Sequence, residues 1–91
     1  MSKRVLIAED EPHIVESLSF LLEQAGCQVS AVFDGEAAVE RLRGLPRPDI
    51  LILDVMIPKR NGFEVLKWVK GQPTLKTIPV MVLTAKGQDQ D

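Results

Sequence analysis

The sequence predicts an α/β fold in which a parallel sheet is covered by helices on both faces. Two short runs, 5–8 and 50–53, contain only apolar residues, which is typical of strands buried on both sides. Stretches with apolar residues at helical spacing alternate with these runs and with two further strand-like segments. Such alternation indicates parallel strands joined by right-handed crossovers. A length of 91 residues corresponds to one small domain.

The first unit consists of a strand, an acidic turn and a helix. The run 5–8 is followed by Glu9, Asp10 and Glu11, and Pro12 stands where the first helical turn begins. Proline is favoured there because its missing N–H group would have no partner in the helix. Gly26 is predicted to end this helix. The apolar residues at helical spacing are Ile14, Leu18, Leu21, Leu22 and Ala25.

The second unit is predicted to lie at a sheet edge. Its strand, 27–33, alternates polar and apolar residues, as expected for a less buried strand. Asp34-Gly35 is predicted to form a turn, and the helix that follows ends at Gly44. The apolar residues of this helix are Ala37, Ala38, Val39 and Leu42. Two prolines, Pro46 and Pro48, predict an extended linker.

The remaining elements are a third strand, a third helix and a fourth strand. The run 50–53 ends at Asp54, and the fourth apolar strand, 80–83, ends at Thr84. The helix between them is predicted to stop at Gly71 and Pro73. Its apolar residues are Phe63, Leu66, Trp68 and Val69. The residues after Thr84 are too few for another packed element.

Composition excludes several classes of protein. The net charge is −2 and the basic residues are scattered, so nothing favours a nucleic-acid contact; Lys59-Arg60 is interpreted as a solvated loop. The single cysteine, Cys27, excludes an internal disulfide and fits a reducing compartment. No signal peptide opens the chain and no apolar run approaches about 20 residues. We therefore expect a cytoplasmic protein without a membrane contact.

Polar groups follow three of the apolar strands. Because the carboxyl ends of parallel strands meet at one rim, Glu9, Asp10, Asp54 and Thr84 are expected to lie close together. Helix capping explains one acid of this set but not three. At about 5 Å and an effective dielectric near 20, each like-charged pair costs roughly 3 kcal/mol, which a cation relieves. An all-oxygen cluster suits Mg²⁺, whereas His13 and Cys27 stand alone and do not suggest zinc.

A carboxylate beside such a cation can attack a phosphoryl donor and form an acyl phosphate. The hydroxyl of Thr84 is then in a position to bind a phosphoryl oxygen, although Thr84 taken alone is an ordinary residue at a strand end.

The chain resembles the receiver domain of bacterial two-component response regulators. Four segments carry the resemblance, in the right order and at compatible distances: VLIAEDE at 5–11, DILILDVMIP at 49–58, NGFE at 61–64 and IPVMVLTAK at 78–86. The resemblance covers the whole chain. It implies a flavodoxin-like, doubly wound parallel sheet with strand order 2-1-3-4.

The resemblance also implies a role for each residue of the rim. Asp54 would accept a phosphoryl group from a phosphohistidine of a sensor histidine kinase. Asp10 and Asp54 would bind Mg²⁺ together with the backbone carbonyl of Met56, and Glu9 would act through a coordinated water. Thr84 would bind the phosphoryl group and move inward, and Ala85 would leave room beside it. Finally, Pro58 and Gly62 would shape the loop over the site.

The family pattern continues beyond the fourth strand with a helix, a fifth strand and a last helix. We therefore expect residues 1–91 to form a single partial receiver domain without these elements. Lys86 cannot take the role of the family's phosphoryl-binding lysine, which belongs near the fifth strand. The fourth strand would then be an unpaired apolar edge that invites pairing with a second copy of the chain.

Three other functions are alternatives to a phosphorylated switch that is not itself an enzyme. An enzyme with an aspartyl nucleophile would need a second acid two residues after Asp54, and Met56 stands there. A truncated, non-phosphorylated module for interaction or dimerisation is favoured by the missing segment but not by the intact acids. Nucleotide binding has least support, because no glycine-rich loop follows the first strand.

Overall fold

A computed structural model describes residues 3–83 of the chain as a four-stranded parallel sheet with three helices. The elements in chain order are β1 (Arg4–Ala8), α1 (Pro12–Gln24), β2 (Gln28–Val32), α2 (Gly35–Arg43), β3 (Ile50–Asp54), α3 (Gly62–Lys70) and β4 (Val80–Leu83). The strands lie in the order β2-β1-β3-β4, and each neighbouring pair is parallel. The predicted fold class and strand order are confirmed. Thr84 and Ala85 lie outside the described residues.

The two unbroken apolar runs form the central strands, β1 and β3. Successive side chains of a strand point to opposite faces, so Leu6 and Ala8 pack on the face that α2 and α3 cover. Val5 and Ile7 pack on the other face, against α1. Burial of one such large aliphatic side chain stabilises the fold by about 1.5–3 kcal/mol. The core therefore fixes both strands and, with them, the residues at their carboxyl ends.

The local signals at the ends of α1 and α2 agree with the structure in most respects. Gly26 has a φ of 91°, the left-handed conformation expected just beyond the end of a helix. Asp34, however, caps α2 and does not form a separate turn: its Oδ1 accepts a hydrogen bond of 2.7 Å from the N–H of Ala37. The helix consequently begins at Gly35, two residues before the first apolar residue of the predicted pattern.

Two helices differ from the prediction in the side chains they bury. On α3, Val65 and Val69 are buried, four residues apart, and Phe63 is 65% exposed. On α1 no residue is fully buried, and Leu21 is 63% exposed. Three partly buried residues of α1 pack against the sheet: Val15, Leu18 and Leu22. The apolar spacing identified both helices correctly, but it did not settle which part of a broad apolar surface faces the sheet.

Within residues 3–83, no helix combines the length and the apolar character needed to cross a membrane.

Candidate functional site

An acidic cluster lies at the carboxyl ends of the two central strands. Ala8 is paired with Leu53 in the parallel register of β1 and β3, so Glu9 and Asp54, the next residues, come to neighbouring positions. Asp10 follows directly. One carboxylate oxygen from each of Glu9, Asp10 and Asp54 lies within 4.8 Å of the others. The structure thus brings together the three acids that the sequence pattern places at one rim.

Burial and hydrogen bonding distinguish the three carboxylates. Asp54 and Glu9 are each only 1% exposed, whereas Asp10 is exposed to solvent. Glu9 Oε2 accepts a hydrogen bond of 3.0 Å from the N–H of Glu11, and Asp54 Oδ1 accepts one of 3.0 Å from the N–H of Met56. Asp54 Oδ2 is buried and has no hydrogen-bond partner within the described part of the chain.

This arrangement fits a hard divalent cation. Two buried carboxylates and one exposed carboxylate repel one another, at roughly 3 kcal/mol for a pair near 5 Å. A buried charged oxygen without a partner is costly as well, unless a cation or a donor reaches it. Oxygen ligands of this type are the ones that Mg²⁺, Mn²⁺ and Ca²⁺ prefer. The exposed position of Asp10 leaves a route by which a cation can enter from solvent.

The segment 55–61, which we call the β3–α3 loop, runs directly from Asp54 to α3. Met56 contacts the site through its main-chain N–H, and its side chain points to solvent. Gly62 closes the base of the loop: its N–H donates to the carbonyl of Val55 at 3.1 Å. A Cβ atom at this position would lie 2.5 Å from the carbonyl oxygen of Asp54 and 2.5 Å from Cα of Val55. Any side chain at this position would overlap the backbone of Asp54 and Val55, which is a steric reason for glycine here.

Pro58 joins the β3–α3 loop to the start of α2. Its carbonyl accepts a hydrogen bond of 3.0 Å from the N–H of Gly35, the first residue of α2. The interpretation of Lys59-Arg60 as a merely solvated loop is incomplete. Lys59 Nζ lies 3.7 Å from Asp34 Oδ2, and Arg60 lies 3.6 Å from Glu36 Oε2. The sequence carried one signal for this junction, the Asp34-Gly35 pair, which the prediction assigned to an isolated turn.

Comparison with known proteins agrees with this geometry. A family model of the response regulator receiver domain matches residues 5–91. The phosphate regulon transcriptional regulatory protein PhoB of Escherichia coli (strain K12) is 40% identical over 91 residues, which are 100% of this chain and 39% of that protein. The chain therefore spans about two fifths of the length of this curated relative.

Solved structures give the same result. The phosphorylated cyanobacterial phytochrome response regulator RcpA is 35% identical, with a TM-score of 0.87 over 92% of this chain and 66% of that one. The Mn²⁺-bound form of the response regulator Rcp1 is 34% identical, with a TM-score of 0.85 over 96% of this chain and 69% of that one. From its sequence match, its strand order and its acidic rim, the chain belongs to the response regulator receiver domain family.

Proposed function

We propose that this chain is a phosphoacceptor switch, phosphorylated on Asp54 by the phosphohistidine of a sensor histidine kinase. The observation that carries the proposal is Asp54 Oδ2, a buried carboxylate oxygen without a partner among the described residues, in a cluster of three acids. Such an oxygen keeps its lone pairs available for an incoming electrophile or cation. The phosphorylated state of the similar RcpA structure supports the proposal.

The transfer exchanges one bond for another. An oxygen of Asp54 forms a bond to phosphorus, the bond between phosphorus and the imidazole nitrogen of the donor breaks, and that nitrogen keeps the electron pair. The hydrogen bond from the N–H of Met56 to Oδ1 fixes the carboxylate plane, so Asp54 does not need to reorient before it attacks. The product is an acyl phosphate.

Mg²⁺ is the cation that we propose for the site, where it would neutralise negative charge on the phosphoryl group. Asp10, Asp54 and the backbone carbonyl of Met56 would hold it, with Glu9 acting through a coordinated water. The Mn²⁺-bound form of the similar Rcp1 supports a divalent cation of this size class. Thr84 and Ala85 keep the roles that the resemblance implies, binding the phosphoryl group and leaving room for it.

The proposed module stores a phosphoryl group and does not turn over a metabolite. Met56 occupies the position two residues after Asp54, so the β3–α3 loop offers no acid there to protonate a leaving group. We further propose that it works in the cytoplasm and contacts a kinase but not nucleic acid, in keeping with its net charge of −2.

Mass spectrometry of the intact protein tests the proposal. The wild type and Asp54→Asn are incubated with Mg²⁺ and a small acyl-phosphate donor, and a parallel wild-type sample contains a chelator. We expect the wild type to gain one phosphoryl group, and both the variant and the chelated sample to gain none. A folded wild type that gains no phosphoryl group in the presence of Mg²⁺ contradicts the proposal.

A second candidate function is an interaction module that pairs through β4. The strand lies at the end of the described sheet, and its Met81 and Val82 are 58% and 38% exposed. An apolar strand with unpaired backbone groups is a template for pairing with another chain. In this function the fold binds a partner without phosphorylation of Asp54, and a homodimer through β4 is its simplest form.

A further inference from the structure

The first turn of α2 and the β3–α3 loop are in unusually close contact. Gly35 is buried and its backbone packs directly against the backbone of Arg60: a Cβ atom on Gly35 would collide with the carbonyl oxygen of Arg60 and lie 2.5 Å from its carbonyl carbon. Backbone atoms cannot turn away as a flexible side chain does. A residue with any side chain at this position would therefore push the loop and the helix apart.

Three further contacts surround Gly35 and hold the same two segments together. The N–H of Gly35 donates to Pro58, Lys59 pairs with Asp34, and Arg60 pairs with Glu36. Lys59 adopts a φ of 71°, a left-handed backbone conformation that residues other than glycine rarely adopt. We call these contacts the α2 clamp. They hold the outer half of the loop, whereas Gly62 holds its base.

The clamp acts on a short piece of chain that adjoins the acidic cluster. Only residues 55–57 separate Asp54 from Pro58, and Ile57 is buried in the core. The N–H of Met56, within this piece, is the group that holds Asp54 Oδ1. A shift of the loop away from α2 would reach the main chain of Met56 through this short piece of chain.

We propose that Gly35 is a positioning residue of the phosphoacceptor site: its missing side chain lets α2 clamp the loop so that the Met56 main chain stays in place beside Asp54. This inference rests on the proposed function of Asp54. The contacts of Gly35 described above are with Pro58 and Arg60, so we assign its effect to the loop.

The test compares Gly35→Ala with two controls. Gly44→Ala adds the same methyl group at the opposite end of α2, where the nearest atom lies 3.8 Å away. Val69→Ala removes part of the core near the carboxyl end of α3, eight residues beyond the end of the loop, and lowers stability. Calorimetry measures Mg²⁺ binding to each protein. Hydrogen exchange of the metal-free proteins measures how well the amides of Met56 and Gly62 are protected relative to amides of the central strands.

We expect Gly35→Ala to weaken Mg²⁺ binding about tenfold, as is typical when a group that orients a ligand is lost. We also expect it to accelerate exchange at Met56 and Gly62 more than in the central strands. Gly44→Ala and Val69→Ala are expected to keep wild-type Mg²⁺ affinity. The inference is overturned if Gly35→Ala binds Mg²⁺ as tightly as the wild type. It is also overturned if Val69→Ala, with the same loss of melting temperature as Gly35→Ala, weakens Mg²⁺ binding as much as Gly35→Ala does.

A variant that only loosens the clamp covers the case in which Gly35→Ala does not fold. Asp34→Asn combined with Lys59→Ala removes one ion pair and keeps an oxygen for the N–H of Ala37. It should weaken Mg²⁺ binding about twofold, and an unchanged affinity overturns the inference. These readouts do not depend on phosphorylation. A wild type that binds Mg²⁺ but accepts no phosphoryl group therefore contradicts the proposed function. The inference about Gly35 is still tested in that case by the Mg²⁺ affinities and the amide exchange rates.

Discussion

Glu9 and Asp54, at the ends of adjacent strands, each use one carboxylate oxygen to hold the N–H group two residues further along the chain. A side chain that bonds the main chain two residues later stabilises a turn and fixes its own direction. Both carboxylates are thereby held at the same rim, although mutual repulsion would separate free side chains. Asp10, which is exposed, completes the set from the solvent side.

Gly62→Ala is predicted to destabilise the protein by at least about 2 kcal/mol, because the new methyl group would overlap the backbone of Asp54 and Val55. Chemical denaturation measures the change. Gly71→Ala is the matched control, since its Cβ would meet no atom closer than 3.5 Å and its φ of −87° suits alanine. Equal stability of the two variants would show that the backbone at Gly62 moves aside readily.

For individual residues, the sequence predicted the acidic groups of the site better than it predicted contacts between distant segments. Strand-end acids were recognisable because an unbroken apolar run ends at each of them. The tight approach of Gly35 to Arg60 was not, because it joins segments 25 residues apart in sequence. A dipeptide such as Asp-Gly indicates a bend or a helix start but does not indicate what packs on it.

The secondary-structure elements show where hydrophobic patterning is sufficient and where it is ambiguous. β1 and β3 were predictable because every position is apolar, and β2 was recognisable as an edge because polar residues alternate along it. On α3, apolar patterning wrongly predicts that Phe63 faces the core. The apolar residues of this helix lie on more than one of its sides, so the pattern does not identify the buried side. Val65 and Val69 reach the sheet, so the large aromatic side chain is left outside.

Met81→Lys is predicted to weaken any self-association through β4 by at least about tenfold. Pairing of two copies would bring the new lysine of each copy to the same edge, where the like charges repel. Sedimentation over a range of concentrations measures the effect. Ser30→Lys places the same charge on β2, at the opposite edge of the described sheet, and should leave association unchanged. A wild type that is monomeric at every concentration contradicts the dimer.

In the whole molecule, the parallel topology is what turns separate sequence motifs into one site. The β2-β1-β3-β4 order places β1 beside β3, so that motifs about 45 residues apart in sequence end at the same rim. Parallel strands and a common rim followed from hydrophobic patterning and from the geometry of parallel sheets. The order of the strands followed from the family resemblance, because hydrophobic patterning alone does not state which buried strands are neighbours.

The central claim is that Glu9, Asp10 and Asp54 form one anionic site for a divalent cation. Thermal melting of the wild type and Asp54→Asn, each with and without Mg²⁺, tests it most directly. Without metal, the variant should melt higher by the equivalent of about 1 kcal/mol or more, because it relieves carboxylate repulsion. For a domain of this size that is a shift of roughly 4–8 °C.

Addition of Mg²⁺ should then reverse the order of the two proteins or narrow their difference. A cation at ten times its Kd stabilises the wild type by about 1.4 kcal/mol, and it should leave Asp54→Asn nearly unchanged. Glu16→Gln, a neutral substitution on the exposed surface of α1, should respond to Mg²⁺ like the wild type. If millimolar Mg²⁺ leaves the wild-type midpoint where it was, or raises that of Asp54→Asn equally, the three carboxylates are not a shared cation site.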